Sequence, residues 1–430
     1  MFIPKSKWLA LIGAALLGAG SVHAQDNKAL INALIQKGIL TQDEAGKITD
    51  EIKKAEAGQT VVTNGSDNWI KKLTLSGRFQ AQFVDIGTSI AGVAANPVAT
   101  QHFLLRRIYL GTKVDMGDGF TGAVTYDFAN NSFDTAIVSW KQSDALTLDL
   151  GLKKAPFVYE ETTSSGALKA IERSVVTRFF DEPNNGRRLG AASYRIGLYA
   201  SGNVPSSPVF YSVAVTNPER NEYSGDGTSG PAVNGNPGVQ AAGNGTNNNF
   251  GYYGTVGVAD KFDGGTYKFG IEGGFLPDQG GPAATVGLGN DLKLYGAFAD
   301  VTFGDFNLQG EWLQAQDKRG VSATQDARPM GYWIQPSYFL IPKVLEAVVN
   351  YSYVDSDGRG VNISDGVRSA PGGGTMNKLS EWYVGGNWYF RGPDYKLQFG
   401  YVHADSKDTV TGGTASAKSD GLRTQVQVNF

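Results

Sequence analysis

The chain has 430 residues, with 57 glycines, no cysteine and a formal net charge of −3. The lack of cysteine excludes disulfides and thiolate metal sites, and the small net charge gives no indication of nucleic acid as a partner. Only 18% of the residues are charged, a composition that favours many strands joined by turns over a helical enzyme. We therefore expect no enzyme activity, no cofactor, no metal and no nucleic acid.

The first residues resemble a secretory leader. Lys5 and Lys7 precede an apolar run over 8–17 and a small-residue stretch that ends at Ala24. This pattern predicts a signal peptide over residues 1–24, because the apolar run is too short to span a membrane. No later stretch is long and apolar enough for a membrane helix, so a membrane location would require strands.

Residues 25–66 have a helical rather than a strand period. Leu30, Ile31, Leu34 and Ile35 recur at helical spacing, and a capping box over 41–44 opens a second helix. The pattern predicts a periplasmic helical segment followed by a polar linker. Two interpretations stay open: a small helical appendage, or a short coiled coil that helps subunits to oligomerise.

From residue 67 to residue 430 the period changes to two, and the sequence predicts an all-β fold: a sixteen-stranded antiparallel transmembrane β-barrel preceded by the short helical segment. Connections alternate between short and long, as the periplasmic turns and exterior loops of outer-membrane barrels do. The predicted strands cover residues 71–84, 102–115, 119–129, 134–141, 145–153, 188–199, 208–216, 249–259, 265–275, 291–302, 305–316, 328–339, 343–354, 378–390, 394–404 and 420–430.

The last strand shows the alternation most clearly. Leu422, Val426 and Val428 fall on one side of an extended chain, and Arg423 and the glutamines fall on the other. One lipid-facing and one water-facing side are typical of a barrel strand. The terminal Phe430 resembles the signal by which bacterial barrels are recognised for assembly, which indicates the bacterial outer membrane as the location.

The same alternation assigns side chains to the lumen. It turns basic and acidic residues inward, and places Arg106 on the opposite face, where its removal should matter little. The pore-lining candidates among the inward residues are Arg78, Arg107, Lys153, Arg195, Arg423 and Asp127. The third exterior loop, over 154–187, is dense in charges of both signs, including Arg173. It is either a solvated surface loop or a loop that folds into the pore and narrows it.

Several short motifs carry a family resemblance. They are Leu75-Ser76-Gly77-Arg78-Phe79, the stretch 105–111, Tyr126-Asp127-Phe128-Ala129, the stretch 151–157, Glu172-Arg173-Ser174 and the stretch 186–190. In this order and spacing they resemble the phosphate- and polyphosphate-selective porins, called porin O and P. The resemblance implies a homotrimer in outer-membrane lipid, a third loop folded inward, and passive uptake of small inorganic or organic anions. On matching positions, Arg78, Arg107, Lys153 and Arg173 would line the constriction, with Asp127 as their acidic partner.

Other functions remain open on the sequence alone. A general, cation-selective or sugar-selective porin is the nearest alternative, because Asp127, Asp149 and Glu272 also face inward. An outer-membrane enzyme is disfavoured, because after the leader only His102 and His403 are available and no Gly-x-Ser-x-Gly or His-Glu-x-x-His motif occurs. A barrel that does not transport is the third alternative.

Overall fold

The computed structural model describes residues 59–61, 69–91, 98–217, 250–281, 290–409 and 416–430. The chain divides into two units, Met1–Thr60 and Val61–Phe430. The predicted signal peptide and the predicted helical segment lie outside the described residues, which contain only the short strand Gln59–Val61 from that part of the chain. Both stay predictions.

Long strands make up nearly all of the second unit. They are β1 (Lys72–Ile90), β2 (Val98–Gly117), β3 (Phe120–Asp127), β4 (Ser132–Ser143), β5 (Leu146–Lys154), β6 (Tyr194–Asn203), β7 (Val209–Thr216), β8 (Gly251–Phe262), β9 (Gly265–Leu276), β10 (Leu292–Phe303), β11 (Phe306–Ser322), β12 (Met330–Ile341), β13 (Leu345–Asp355), β14 (Thr375–Arg391), β15 (Tyr395–Thr409) and β16 (Ala417–Asn429). Two short strands, Gln325–Ala327 and Val361–Asn362, lie in the connections.

The sheet closes on itself. Each strand pairs antiparallel with the next along the chain, and β16 pairs with β1 from Ala417↔Ile90 to Asn429↔Arg78. Phe430 extends this seam, because its backbone exchanges hydrogen bonds with Gly77 at 2.7 and 3.1 Å. The predicted sixteen-stranded antiparallel barrel is confirmed. Closure pairs every strand edge, as a membrane interior requires.

Among the sixteen long strands, the sixth is the one that the sequence predicts at the wrong position. It was predicted over 188–199 and runs from Tyr194 to Asn203. Residues 188–193 belong instead to the third exterior loop, residues 155–193, called the third long loop below. There the backbone N–H groups of Leu189 and Ala191 donate to the carbonyls of Phe179 and Phe180. The alternating pattern before Tyr194 therefore reflects packing inside the loop rather than a strand.

The third long loop, residues 155–193, lies inside the barrel. It contains helices α1 (Tyr159–Thr162) and α2 (Val175–Asp181), and the seventh long loop, residues 356–374, contains α3 (Ile363–Gly366). Within the described residues, no helix is long and apolar enough to cross a membrane. Backbone carbonyls of the third loop accept hydrogen bonds from inward side chains of β15 and β16, Lys396 to Leu168 at 2.7 Å and Gln427 to Gly166 at 3.0 Å. The prediction that this loop folds inward is confirmed.

An apolar core fixes the loop in that position. Val175, Val176, Phe179 and Phe180 of α2 are fully buried, and α2 contacts β12, β13 and β14. The inward side chains of the exterior strand halves are aliphatic here and join the same cluster: Val84, Ile86, Val354, Leu379, Val402 and Ala404. Each large apolar side chain so buried contributes roughly 1.5–3 kcal/mol. The rule that inward residues are polar thus fails wherever the lumen is filled by protein instead of water.

Candidate functional site: a basic wall in the lumen

Three neighbouring strands, β16, β1 and β2, carry arginines into the lumen. Arg423 lies opposite Val84, Arg107 opposite Gln80, and Arg78 opposite Asn429. Since a strand rises about 3.3 Å per residue, the levels of Arg78 and Arg423 differ by roughly 20 Å along the wall. These positions agree with the inward faces that alternation predicted, and they place the guanidiniums one above another.

A β-bulge adds a fourth arginine to this wall. The register of β1 with β2 shifts between Gln80↔Arg107 and Ala81↔Leu105, so Arg106 is the extra residue. Its side chain points inward as well, with Nε 2.6 Å and Nη2 3.1 Å from the two carboxylate oxygens of Glu172. The expectation that Arg106 faces away from the lumen was wrong, because a bulge interrupts the two-residue alternation at that point.

Glu172, in the third loop, collects donors from three elements. Besides Arg106, the amide of Gln82 on β1 donates to Oε1 at 2.9 Å, and Nε of Arg368 on the seventh long loop donates to Oε2 at 3.1 Å. Burial would raise the pKa of Glu172, but the guanidiniums of Arg106 and Arg368 outweigh burial and hold the pKa well below its usual range. Glu172 is therefore a carboxylate at neutral pH.

A second carboxylate, Glu182, forms a similar centre nearby. It accepts from Arg178 at 2.9 and 3.0 Å and also pairs with Arg188 and Arg368. Burial opposes ionisation of Glu182, yet Arg178 and Arg368 lower the pKa of this group. Arg368 thus bridges the two carboxylates. Arg368 lies in a long loop to which no strand alternation applies, so the sequence pattern does not indicate it.

The other basic residues selected from the sequence are held by internal partners. Arg173 pairs with Glu161 at 2.8 Å and donates to three carbonyls of its own loop. Lys153 lies 2.5 Å from Asp149. Arg195 is buried and donates to the carbonyls of Gly190 at 2.7 Å and Ala192 at 3.3 Å. The contacts of Arg173 tie the third loop together, those of Arg195 tie the loop to β6, and the Lys153–Asp149 pair lies within β5.

Asp127 lies at the exterior end of β3. Its Oδ1 accepts from the backbone N–H groups of Ile108 at 3.1 Å and Ala129 at 3.0 Å, and its Oδ2 accepts from Asn130 at 2.5 Å. The carboxylate therefore stabilises a turn next to the basic wall. All the hydrogen bonds that the structure describes for Asp127 come from neutral donors, and none of them comes from an arginine.

A cavity of about 300 Å³ lies between the wall and the third loop. Its lining includes both charge signs and two tyrosines: Arg106, Arg107, Lys154, Arg173, Arg368, Asp127, Asp134, Glu161, Asp181, Glu182, Tyr109 and Tyr194. Within the described part of the chain, Arg107 forms no ion pair and donates to Gln80 at 2.8 Å, although it is only 4% exposed. Arg78 likewise has neutral partners, Asn429 at 2.9 Å, Ser165 at 2.6 Å and Ser164 at 3.1 Å. Arg107, which lines the cavity, and Arg78 on the same wall thus form no ion pair within the described residues.

Three solved outer-membrane channels share this fold at low identity. An anion-selective porin from Comamonas acidovorans has a TM-score of 0.55 and 14% identity, covering 83% of this chain and 99% of its own. OmpF of Salmonella typhi has a TM-score of 0.52 and 11% identity, covering 86% and 100%. The outer-membrane channel DcaP of Acinetobacter baumannii has a TM-score of 0.51 and 12% identity, covering 86% and 100%. No curated protein sequence is significantly similar to this chain.

The family comparison covers the whole barrel. Residues 73–430 match the family described as phosphate-selective porin O and P, which agrees with the motifs noted in the sequence. With a closed barrel of sixteen strands, this match makes the protein a channel of the bacterial outer membrane rather than an enzyme. The chain belongs to the phosphate-selective porin O and P family.

Proposed function

We propose that the channel passes small inorganic or organic anions in preference to cations. The observation that carries the proposal is the position of Arg107 beside the lumenal cavity and of Arg78 on the same wall, neither of them in an ion pair in the described part of the chain. A guanidinium in a narrow, low-dielectric passage attracts anions far more strongly than one in bulk water. A few such groups are enough to select anions although the whole chain is acidic.

The three inward carboxylates differ in how far they oppose these cations. Asp149 pairs with Lys153, and Glu272 Oε1 accepts from the backbone N–H of Val158 at 3.0 Å. Asp127 accepts from the backbone N–H groups of Ile108 and Ala129 and from the side chain of Asn130. Asp149 is therefore neutralised by Lys153 and Glu272 is buried against the third loop, whereas Asp127 keeps its charge. The four arginines of the wall outnumber Asp127, which supports the anion-selective alternative.

We infer that the candidate residues act in two different ways. Arg78 and Arg107 on the wall would meet the anion, together with Arg106 and Arg368. Arg423, whose side chain is fully buried and donates to the backbone carbonyl of Arg368, would instead hold the seventh long loop against the wall. Arg173, Arg195, Lys153 and Asp127 would act indirectly, by fixing the loop and the turn that shape the passage.

The test is a reversal-potential measurement on single channels in planar bilayers under a potassium chloride gradient. The wild-type channel should be anion-selective, and Arg107→Gln should lower the ratio of anion to cation permeability, most visibly at low salt where screening is weak. Lys141→Gln is the matched control, because it removes one positive charge from a side chain that is mostly exposed near a short turn. A cation-selective wild-type channel, or equal effects of both substitutions, would contradict the proposal.

We also propose that the protein is a homotrimer in outer-membrane lipid, with residues 1–24 removed as a signal peptide and residues 25–66 in the periplasm. The outward side of β16, β1 and β2 supplies an apolar surface for a neighbouring subunit or lipid: Phe103 is 84% exposed there, beside a depression of about 280 Å³ lined by Phe83, Leu105 and Val426. Light scattering in mild detergent should give the mass of three chains. Deletion of 25–66 should weaken the trimer and leave the barrel able to insert; failure to insert would contradict the two-part organisation.

A further inference from the structure

The carboxylate of Glu172 occupies an arrangement of donors that suits a free anion. We call Arg106, Arg368 and Gln82 the Glu172 cradle. They supply four hydrogen bonds, two from Arg106 at 2.6 and 3.1 Å, one from Arg368 at 3.1 Å and one from Gln82 at 2.9 Å. A two-point contact from one guanidinium is the geometry by which arginine binds carboxylates and phosphates. The carboxylate thus fills a site for an oxyanion.

Glu172 itself cannot move far from the cradle. The preceding residue, Ile171, is 1% exposed in the apolar core that holds the third loop. The following residue, Arg173, is fixed by Glu161 and by three backbone carbonyls. The backbone is therefore anchored on both sides of Glu172.

Arg368 has the most exposed side chain of the cradle. It lies on the seventh long loop, its side chain is 30% exposed, and it already divides its donors between Glu172 and Glu182. It also lines the cavity that contains Arg107. An arginine shared by two carboxylates at the edge of a cavity can turn one donor towards a passing anion without leaving either carboxylate unpaired, because Arg106 and Arg178 remain in place.

We propose that Glu172 is a tethered competitor of the permeating anion, and that Arg368 exchanges between the Glu172 carboxylate and the oxygens of the passing phosphate or carboxylate. The inference rests on the proposed anion selectivity and adds a mechanism for release. Conduction needs a site that attracts an ion yet lets it leave. A carboxylate fixed next to the site lowers the affinity of the site for the anion. It also accepts the hydrogen bond of Arg368 again as soon as the anion moves on.

The experiment measures single-channel conductance over a series of potassium phosphate concentrations, and the half-saturating concentration reports binding. Glu172→Gln keeps the shape and removes the competing charge, so the half-saturating concentration should fall at least about tenfold. Glu172→Asp keeps the charge and should stay near the wild-type value. Arg368→Gln removes the exchanging group and should raise the half-saturating concentration about fivefold or more. Asp144→Asn, which removes a negative charge from an exposed turn, should change nothing.

Two outcomes separate this inference from the proposed function. An unchanged half-saturating concentration in both Glu172→Gln and Arg368→Gln overturns the tethered competitor, and it leaves the anion channel standing if Arg107→Gln still lowers anion selectivity. If Glu172→Gln does not assemble, Arg368→Gln decides alone, because its partly exposed side chain lies on a loop outside the barrel wall. A wild-type channel that selects cations overturns both.

Discussion

The buried carboxyl of Glu160 makes the stability of the third loop depend on pH. Glu160 lies in α1, is 5% exposed, and its Oε2 accepts from the backbone N–H of Ser174, from Ser174 Oγ and from Thr177 Oγ1 at 2.6–3.0 Å. Burial raises the pKa of Glu160 from its ordinary value of 4.5 to about 7, more than these hydrogen bonds and the guanidinium of Arg173 lower it. A further carboxylate, Glu311, lies close by and also disfavours the ionised form.

The sign of the pH dependence follows from this raised pKa. Below pH 4.5 the carboxyl is protonated in the folded and the unfolded chain, and its contribution to stability is fully present. As the pH rises towards 7 the unfolded chain loses the proton first, so the free energy of unfolding falls, and it levels off above pH 7. Since one pKa unit corresponds to about 1.4 kcal/mol, the loss amounts to about 3 kcal/mol.

Glu160→Gln isolates this contribution, because an amide keeps an oxygen for the three donors and does not titrate. The free energy of unfolding by urea, measured in detergent micelles at pH 4 and pH 8, should differ little between wild type and variant at pH 4. At pH 8 the variant should be more stable by about 3 kcal/mol. Other titrating groups are common to both proteins and cancel in the difference. A difference that is the same at both pH values, or a variant that is less stable at pH 8, would refute the assignment of burial as the dominant effect.

One substitution each tests the seam between β16 and β1, the attachment of the third loop at Glu311 and the bulge at Arg106. A Cβ added at Gly77 would lie 2.2 Å from the ring of Phe430, so Gly77→Ala should slow barrel assembly, as followed on heat-modifiability gels. Gly87→Ala is the control and should assemble normally, because the nearest atom to its added Cβ, the carbonyl oxygen of Val98, is 3.7 Å away. The carboxylate of Glu311 accepts hydrogen bonds from two backbone N–H groups at the start of α1. Glu311→Gln should weaken this attachment of the third loop by about 1–3 kcal/mol and increase single-channel current noise. Current noise equal to that of the wild type would count against the attachment. Arg106→Gln should lower anion selectivity in reversal-potential measurements, and an unchanged value would mean that the bulge side chain does not reach the pore.

The barrel could be predicted from the sequence because one local rule governs most of it. Alternation of apolar and polar residues, interrupted by turns, specifies strand positions without knowledge of distant contacts. It located fifteen of the sixteen strands closely, and it placed Arg78, Arg107 and Arg423 on the inner face. The rule misplaced the sixth strand, because residues 188–193 pack against α2 through contacts that depend on the fold of the whole loop.

The site could be predicted only in part, for two physical reasons. A bulge adds one residue to β2 and turns Arg106 inward, and no residue type in the stretch 104–108 marks that extra residue. Arg368 comes from the seventh long loop, which the chain reaches almost two hundred residues after Glu172. Long-range contacts of this kind have no local signature, so alternation alone could not distinguish a cation that binds a passing anion from one that stabilises a loop.

Selectivity in this channel should depend on which charges are already paired inside the third loop. That loop is rich in both signs, yet Arg173 pairs with Glu161, and Arg178 and Arg188 pair with Glu182, all within residues 155–193. A loop that neutralises most of its own charge leaves the cations of the wall free to act on the lumen. Because a paired charge has a field that falls off quickly while an unpaired one reaches across a narrow passage, the net charge of −3 says little about the pore. We therefore expect Arg107 and Arg78 to set the sign of the permeant ion.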